Sequence, residues 1–426
     1  MNAPSASFCI LPWVHLFADE QGIMRPCCMT LGDRKSAGRD ADGQPFTVAR
    51  ANLDDAWNSP FMKELRRDML AGRRPAVCVR CFDEEDLGME SHRQAVNETH
   101  RARIAEAVAA TGEEGESPAT LIRSVDLRLG NVCNLRCRMC SPLSSRLLID
   151  EWREMFDLAA DDPRLERLRR VDWFARDEFW STFEKYVPEI EMLHFGGGEP
   201  LLVPQALDFL QRLIDRGVAD RIKLSYITNL TVLPPRLAEL WPKFRSVSLA
   251  VSIDGYAEVN NFIRYPTDWA RLDANLRRLR EHGAELNVRS VTFNTTVQLY
   301  NALRLTDLFA YTFSLAAPHV DPYPRLVLLS GPEPFSVGVL PENLRELAAA
   351  RLRDFVARWE GHWPEPDDEL PRFRDGIDGV IAHMQTSDMA GERPEFLRRN
   401  AVFDRARGQN VCDIVPELAP LFEVTA

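Results

Sequence analysis

Three cysteines lie close together in one short segment, the run CNLRCRMC that holds Cys133, Cys137 and Cys140. The segment directly follows SVDLRL, an apolar run predicted to form a strand, so all three thiols fall on one loop. Three thiolates on one loop can hold three irons of a 4Fe-4S cube and leave the fourth iron for another molecule. The alternatives are a zinc site or a fully protein-ligated cluster with a distant fourth cysteine, or three unliganded core thiols. Zinc spacings usually come as paired C-x2-C units, which favours the cluster.

The nine cysteines of the chain are clustered rather than spread out. Such clusters favour metal binding over disulfides in a reducing compartment. Cys28 adjoins Cys27 on a predicted strand, where neighbouring side chains point to opposite faces, so we expect Cys28 to be a packed thiol. Cys412, in GQNVCDIVP, stands apart from both groups, and a buried apolar role is its simplest interpretation. The histidines show no paired metal-ligand spacing and are expected to be structural, among them His15, His92 and His194.

The elements that must position these residues can be predicted from hydrophobic patterning. Six short apolar runs are predicted as strands: SVDLRL, MLHFGG, KLSYITN, SVSLAVSID, VRSVTFNTTV and RLVLLS. Material with helical periodicity separates them, so the pattern predicts six βα-type units around a parallel sheet. The region after about Gly331 is predicted to be helical, with ENLRELAAARLRDFVARW as its clearest amphipathic helix.

The N-terminal part is organised differently. Residues 8–28 are predicted to form a hairpin with the turn ADEQG, its first strand holding Trp13, Val14, Leu16 and Phe17. A helical stretch is predicted from Asn52 to Gly72, with Pro60 restarting the helix. Residues 105–120 are small and acidic and are predicted to be a linker, with a new domain starting near Leu121.

The net charge of the chain bears on which classes of partner it can bind. The 426 residues carry a net charge of -12, which repels phosphate backbones and anionic lipid headgroups, so we expect no nucleic-acid or membrane partner. The first residues, MNAPSASFCILPW, lack the basic and apolar regions of a signal peptide, and no run of about 18 apolar residues occurs. The sequence therefore predicts a soluble cytoplasmic protein.

From residue 8 to about 330 the sequence resembles the radical S-adenosylmethionine (radical SAM) superfamily, whose motif is this cysteine triad after strand one of a barrel. The family's GGEP motif corresponds to FGGGEP at 195–200, and the resemblance implies that Gly197, Gly198, Glu199 and Pro200 hold the SAM amino group. It also implies contacts to SAM at the ends of the third and fourth strands, from Thr228, Asn229, Ser252, Asp254 and Gly255. Arg264, in FIRYP, resembles an arginine aimed at the cofactor's carboxylate or the substrate, with a surface salt bridge as the alternative. Met139 departs from the family, which often has an aromatic residue there.

A second resemblance concerns the N-terminal cysteines. Cys9, Gly22 and Cys27 form a C-x12-G-x4-C pattern, and Cys78 and Cys81 form a later C-x2-C pair. This resembles the twitch half of SPASM domains, which hold an auxiliary 4Fe-4S cluster, although those domains usually follow the barrel. Four thiolates saturate one cluster, which implies electron transfer or structural support. A structural zinc on the same four cysteines is the alternative.

The predicted fold is therefore α/β: a partial (βα)6 TIM-like barrel, a small N-terminal α+β twitch-like iron-sulfur module and a helical C-terminal tail. The predicted domains are 1–104 for the auxiliary-cluster module, 105–120 for the linker, 121–330 for the radical SAM core and 331–426 for the C-terminal extension.

The predicted enzyme would cleave SAM reductively to a 5′-deoxyadenosyl radical and abstract a substrate hydrogen. An electron donor such as flavodoxin or ferredoxin would act as partner. The substrate expected is a ribosomally made peptide, modified by epimerisation, crosslinking or oxidation. Two alternatives stay open: a dehydrogenase of a sugar-like small-molecule alcohol, and a non-catalytic iron-sulfur electron carrier. In an epimerising enzyme, Cys412 could be the catalytic hydrogen donor.

Overall fold

A computed structural model describes residues 3–30, 37–49, 53–86, 90–185 and 189–423 of the chain. The Asn52 cap predicted for the first long helix lies outside these residues. The chain forms two compact units, described separately below. The first contains Met1–Gly130, Val171–Ser225 and Lys243–Arg245, and the second contains Asn131–Arg170, Tyr226–Pro242 and Ser246–Ala426. Within the described residues, no helix combines the length and apolarity needed to cross a membrane.

The first unit is built on a mainly parallel sheet. Its strands are β1 (His15–Ala18), β2 (Met24–Arg25), β3 (Ser124–Arg128) and β4 (Met192–Gly196). Strand β1 pairs with β2 antiparallel and with β3 parallel, and β3 pairs with β4 parallel. The predicted hairpin is thus present, but its first strand also extends the sheet of the following βα units.

The start of that hairpin differs from the prediction. Trp13 and Val14 were expected in the strand, but they end a short buried helix, α1 (Leu11–Val14). Pro12 occupies the first turn of this helix, where its fixed φ favours a helical start. All four α1 residues are buried, so their apolar run reflects burial on every side rather than the alternation of a strand.

The two faces of β3 and β4 carry different residues. Val125 and Leu127 on β3, with Leu193 and Phe195 on β4, are fully buried. The alternate positions are polar, and Asp126 lies opposite His194 in the parallel register. The sheet therefore packs its apolar core on one face and presents charged and hydrogen-bonding groups on the other.

Helices cover the rest of the first unit. They are α2 (Leu53–Trp57), α3 (Pro60–Leu70), α4 (Val79–Asp86), α5 (His92–Thr99), α6 (Ile104–Ala109), α9 (Asp177–Phe183) and α10 (Pro204–Asp215). The restart of the helix at Pro60 is confirmed: Ser59 caps it by accepting a hydrogen bond from the Met62 amide. Gly72 follows α3 with φ +77°, a conformation that only glycine adopts easily.

Residues 105–120, predicted as a linker, are packed into the first unit. Thr111 accepts a hydrogen bond from the Trp13 indole at 2.8 Å, and the carbonyl of Gly115 accepts one from buried Arg66 at 3.2 Å. A Cβ at Gly115 would lie 2.4 Å from the Lys63 carbonyl oxygen. The small residues that suggested flexibility instead allow close approach to α3.

Strand β5 (Lys223–Thr228) begins in the first unit and ends in the second. The second unit then contains β6 (Ser246–Ser252), β7 (Val288–Val297) and β8 (Arg325–Leu328), with β7 parallel to both neighbours. All six strands predicted for the βα units are present, and the α/β class with a parallel sheet is confirmed. The helices of this part are α7 (Ile149–Met155), α8 (Pro163–Arg169), α11 (Leu237–Leu240), α12 (Glu258–Ile263), α13 (Trp269–His282) and α14 (Leu305–Ser314).

The C-terminal region is helical, as predicted. It contains α15 (Glu342–Trp359), α16 (Leu370–Thr386) and α17 (Arg393–Arg407). Helix α15 has the predicted bounds. One apolar cluster joins the three helices to α14 and to the residues after β7, with Phe309, Phe355, Phe373 and Phe396 at its centre. The C-terminal extension therefore shares a core with the later βα units.

Candidate functional site

The cysteine loop is held in an extended conformation along the segment that ends α12. The amide of Arg136 donates to the Tyr265 carbonyl at 2.5 Å, and the amide of Arg138 donates to the Ile263 carbonyl at 2.9 Å. Alternate residues of an extended chain point to opposite sides. Cys137 therefore lies on one side of the loop, and the two arginines that flank it lie on the other.

The Cys137 thiol is buried, and Cys133 and Cys140 are partly buried. The Cys137 and Cys140 thiols are hydrogen-bonded to each other, which lowers the pKa of Cys137; burial opposes this shift and Arg264 reinforces it. The same hydrogen bond, together with burial, raises the pKa of Cys140. The Leu135 amide donates to the Cys133 sulfur at 3.4 Å. Hydrogen-bond donors and a guanidinium near the sulfurs stabilise thiolates, the form in which cysteines bind iron.

Arg264 links this loop to the end of β6. Its guanidinium donates to the Cys137 sulfur at 4.0 Å, and its Nε lies 2.7 Å from Oδ2 of Asp254. Asp254 is fully buried, which raises the pKa of its carboxyl, while Arg264 acts in the opposite direction. Its Oδ1 accepts the Thr296 amide at 2.7 Å. The alternative of a surface salt bridge is wrong for Arg264, because both partners are buried.

Asn229 reaches the same loop from the end of β5. Its amide nitrogen donates to the Cys133 sulfur at 3.8 Å and to Oδ1 of Asn134 at 3.1 Å. Its oxygen accepts from the amide and the hydroxyl of Thr231. Thr228 instead accepts from the Leu230 amide at 2.9 Å, so its hydroxyl shapes the turn after β5.

A cavity of about 500 Å³ opens at the ends of β6 and β7. Ser252, Asn294 and Thr296 contribute its polar floor, and Arg264 belongs to its wall. The opposite wall comes from β8 and α16 and includes Leu326 and Phe373. Arg264 thus contacts a cysteine of the loop and also lines the cavity.

The turn Gly197-Gly198-Glu199-Pro200 is described within the first unit. Gly197 has φ +102°, and a Cβ there would lie 2.8–2.9 Å from the backbone of residues 128–130 at the end of β3. The Gly198 amide donates to the Gly130 carbonyl at 2.8 Å. Glu199 is 1% exposed and accepts a hydrogen bond from the Leu201 amide at 3.1 Å. Only glycine allows the strand end and this turn to approach so closely.

Two arginines of the cysteine loop were not singled out by the sequence analysis. Arg138 is buried, and its guanidinium is paired with Asp404 of α17 at 2.7 Å. Arg136 is paired with Glu151 at 3.2 Å, and Glu151 is in turn paired with Arg407 of α17 at 2.9 Å. The alternation Arg136-Cys137-Arg138 is the signal that could have shown these arginines facing away from the thiols.

Comparison with known proteins gives a family for the region that holds the loop. Residues 127–301 match the model of the radical SAM superfamily. This stretch is similar to radical SAM domains. The match supports the prediction of a radical SAM enzyme, and a domain of this family implies a 4Fe-4S cluster and SAM. No curated protein matches the chain.

Two solved radical SAM structures illustrate what the chain is similar to. Native anSMEcpe with bound AdoMet and Cp18Cys peptide is 17% identical with a TM-score of 0.35; the match covers 56% of this chain and 60% of that one. SuiB of Streptococcus suis bound to S-adenosylmethionine is 11% identical with a TM-score of 0.34, over 73% of this chain and 65% of that one. The chain thus spans less than two thirds of either. At these TM-scores neither likeness bears on its substrate.

Outside the radical SAM domain, the four N-terminal cysteines line one small cavity with Arg93. They are Cys9, Cys27, Cys78 and Cys81. Burial raises the pKa of Cys9 and of Cys78 to about 12, and the neighbouring thiols act in the same direction. Gly22, with φ +76°, makes the turn between β1 and β2 that returns the chain to Cys27. Such mutual proximity suits four thiols that share one cluster.

Neither cysteine group has the arrangement of a site for one ion. Within the described part of the chain, no three or more His, Cys, Asp or Glu side chains are arranged to hold a single metal ion. A zinc site brings all its sulfurs to about 2.3 Å from one point, whereas each thiolate of a cube binds its own iron.

The two remaining cysteines are in other surroundings. Cys28 is absent from the lining of the N-terminal cavity, and Asp126 and Arg128 contribute to the electrostatic field at its thiol. Cys412 packs against the apolar cluster of the C-terminal helices and is not part of the lining of the strand-end cavity. This position favours the packing role for Cys412.

Proposed function

We propose that the chain is a radical SAM enzyme whose SAM-binding cluster is held by Cys133, Cys137 and Cys140. The observation that carries the proposal is the position of Arg264, which contacts the Cys137 sulfur at 4.0 Å and lines the strand-end cavity. A substrate in that cavity would lie beside the cysteine loop. Hydrogen abstraction by a short-lived radical requires the substrate to lie this close to the place where the radical forms.

Cys133, Cys137 and Cys140 would hold the cluster, which together with SAM would supply the chemistry of reductive SAM cleavage and hydrogen abstraction. The role of this chain's own residues would be to bind the cluster and SAM and to orient them. Asn229 and Arg264 donate hydrogen bonds toward the thiolates, and buried Asp254 fixes the guanidinium of Arg264. We propose that Ser252, in the cavity floor, contacts SAM.

The proposed contacts to the SAM amino group are those of the glycine turn. Gly197, Gly198 and Pro200 would provide close backbone approach, and the Glu199 carboxylate would meet the ammonium group. We propose that Thr228, which ends β5 next to Asn229, also contacts SAM.

We propose that Cys9, Cys27, Cys78 and Cys81 hold an auxiliary 4Fe-4S cluster in a twitch-like arrangement. The cavity that all four of them line supports this. With four protein ligands the cluster would pass electrons or support the fold rather than bind substrate. Flavodoxin or ferredoxin is the proposed external electron donor.

The proposed substrate is a peptide. Strand β8 forms the wall of the cavity, and among the described strands it pairs only with β7. Its exposed residues include Val327, which is 55% exposed. An extended peptide can add to such an edge through its backbone and place one side chain in the cavity. A sugar-like alcohol has no peptide backbone that could pair with a strand edge, so this feature favours a peptide substrate.

Anaerobic reconstitution with iron and sulfide, followed by dithionite and SAM, tests the proposal. The wild-type protein should release 5′-deoxyadenosine, and Cys137→Ala should release none. Cys28→Ala is the matched control, because it removes a thiol outside both proposed ligand sets. A Cys137→Ala protein that still yields 5′-deoxyadenosine would refute the assignment, and a wild-type protein that binds iron but yields none would indicate an electron carrier.

A further inference from the structure

The cysteine loop is tied to the last long helix of the chain by two buried groups of charges. Arg138 has no exposed side-chain surface and donates to Asn400 at 2.8 Å, to Asp404 at 2.7 Å and to Gln409 at 3.1 Å. Asn400 also accepts a hydrogen bond from the Tyr300 hydroxyl at 2.7 Å. A guanidinium with this many fixed acceptors has a single orientation.

The second group lies one turn further along α17. Arg407 makes a bidentate pair with Glu151, with both distances at 2.9 Å, and neither side chain is more than 4% exposed. Glu151 also accepts from Arg136 of the loop at 3.2 Å. The rings of Tyr265 and Phe403 lie within 5.3 Å of the Arg407 guanidinium carbon. Both arginines that flank Cys137 are therefore held through α17.

These charges also lie in the electrostatic environment of the thiols. Arg407 shares the Glu151 carboxylate with Arg136, the residue before Cys137. Asp404 neutralises Arg138, the residue next to Cys137 in sequence. An anionic cluster on this loop would respond to each of these charges, because burial limits screening by water and salt.

We propose that α17 is part of the SAM-cluster site: Asp404 and Arg407 act as positioning residues that hold the cysteine loop ready for iron and tune the cluster's reduction potential. This inference rests on the proposed function for the cluster. The C-terminal extension would thus serve the chemistry as well as cover apolar surface.

The first test uses the cluster-free full-length protein and the alkylation rate of Cys137 by iodoacetamide, followed by mass spectrometry. Asp404→Asn and Arg407→Gln should each alkylate about tenfold faster than wild type, equivalent to about 1.4 kcal/mol of easier loop opening. Arg405→Gln is the matched control, because Arg405 is on the same helix, 64% exposed, and pairs with an exposed glutamate. Unchanged rates in both buried variants would overturn the positioning role.

The second test measures the midpoint potential of the reconstituted cluster by electron paramagnetic resonance. Asp404→Asn leaves the Arg138 charge uncompensated, which favours the reduced cluster and raises the potential. Arg407→Gln removes a positive charge and lowers it. Shifts of opposite sign cannot come from general loosening of the fold, so equal or absent shifts in correctly folded variants would overturn the proposal. A wild-type protein that takes up no iron would refute the proposed function, whereas the alkylation test would still decide the positioning role.

Discussion

Replacing Arg264 with glutamine should destabilise the protein strongly and in a pH-dependent way. The Arg264–Asp254 pair joins Nε and Oδ2 at 2.7 Å, with side-chain exposures of 11% and 0%. Charge centres about 4 Å apart at an effective dielectric constant of about 20 interact by about 4 kcal/mol. Breaking a buried pair by removing one partner costs about 3–5 kcal/mol, in agreement.

The sign of the pH dependence follows from Asp254. Burial already raises the pKa of this carboxyl, and loss of Arg264 removes the nearby charge that opposes the shift. In the variant, the folded-state pKa therefore lies still further above the unfolded value. A carboxyl of this kind destabilises the fold at neutral pH, and the penalty shrinks as pH falls through the raised folded pKa.

Urea unfolding of the cluster-free protein, followed by tryptophan fluorescence at pH 7 and pH 5, measures both effects. Arg264→Gln should lose about 4 kcal/mol at pH 7 and less at pH 5. The double variant Arg264→Gln/Asp254→Asn should recover most of the loss, since no lone charge stays buried. Arg277→Gln is the control: it breaks an ion pair of similar length, 2.8 Å, on a side chain that is 53% exposed. If Arg264→Gln costs no more than this control, the reasoning is wrong.

Three further predictions concern other sites. Burial lowers the pKa of His194 to about 3, so the free energy of unfolding should fall as the pH drops below about 6.5, where the unfolded chain binds a proton that the folded protein does not. His194→Gln should therefore reduce the difference in unfolding free energy between pH 7 and pH 5 by at most about 2 kcal/mol, as measured by urea unfolding. Reconstituted protein should contain about eight irons per chain and Cys9→Ala about four, whereas four irons with one zinc in wild type would favour the structural zinc. Cys412→Ala should give wild-type product with no change in deuterium uptake from heavy water; loss of solvent deuterium from the product carbon would instead make Cys412 the hydrogen donor.

The sequence was most informative where one physical pattern dominated. Strands β3 to β8 were predictable because short β-rich runs alternate with stretches of helical periodicity, and α15 because its apolar stripe follows the helical period. Patterning failed at Trp13 and Val14, where an apolar run buried on all sides has no period to distinguish strand from helix.

Part of the site was predictable because its residues follow predicted strands. Asn229 directly follows β5 and Asp254 lies two residues after β6, and parallel strands bring their ends to one edge. The contact of Asp404 with Arg138 spans 266 residues and that of Arg407 with Glu151 spans 256, and nothing in local spacing indicates them. The hydrogen bonds that tie residues 105–120 to Trp13 and Arg66 escaped prediction because the segment's small, acidic composition is equally typical of a flexible linker.

The pairing of β1 with β3 bears on how far this chain can be divided. The family match begins at residue 127, inside β3, and a separate radical SAM fragment would naturally be cut near residue 121. Such a cut removes β1, whose residues 15–18 pair with residues 124–127. It would turn an interior strand into a bare sheet edge, open to pairing with other chains and to aggregation. The boundary of sequence similarity is thus not a folding boundary, and the N-terminal hairpin must stay with the enzyme for the first unit to fold.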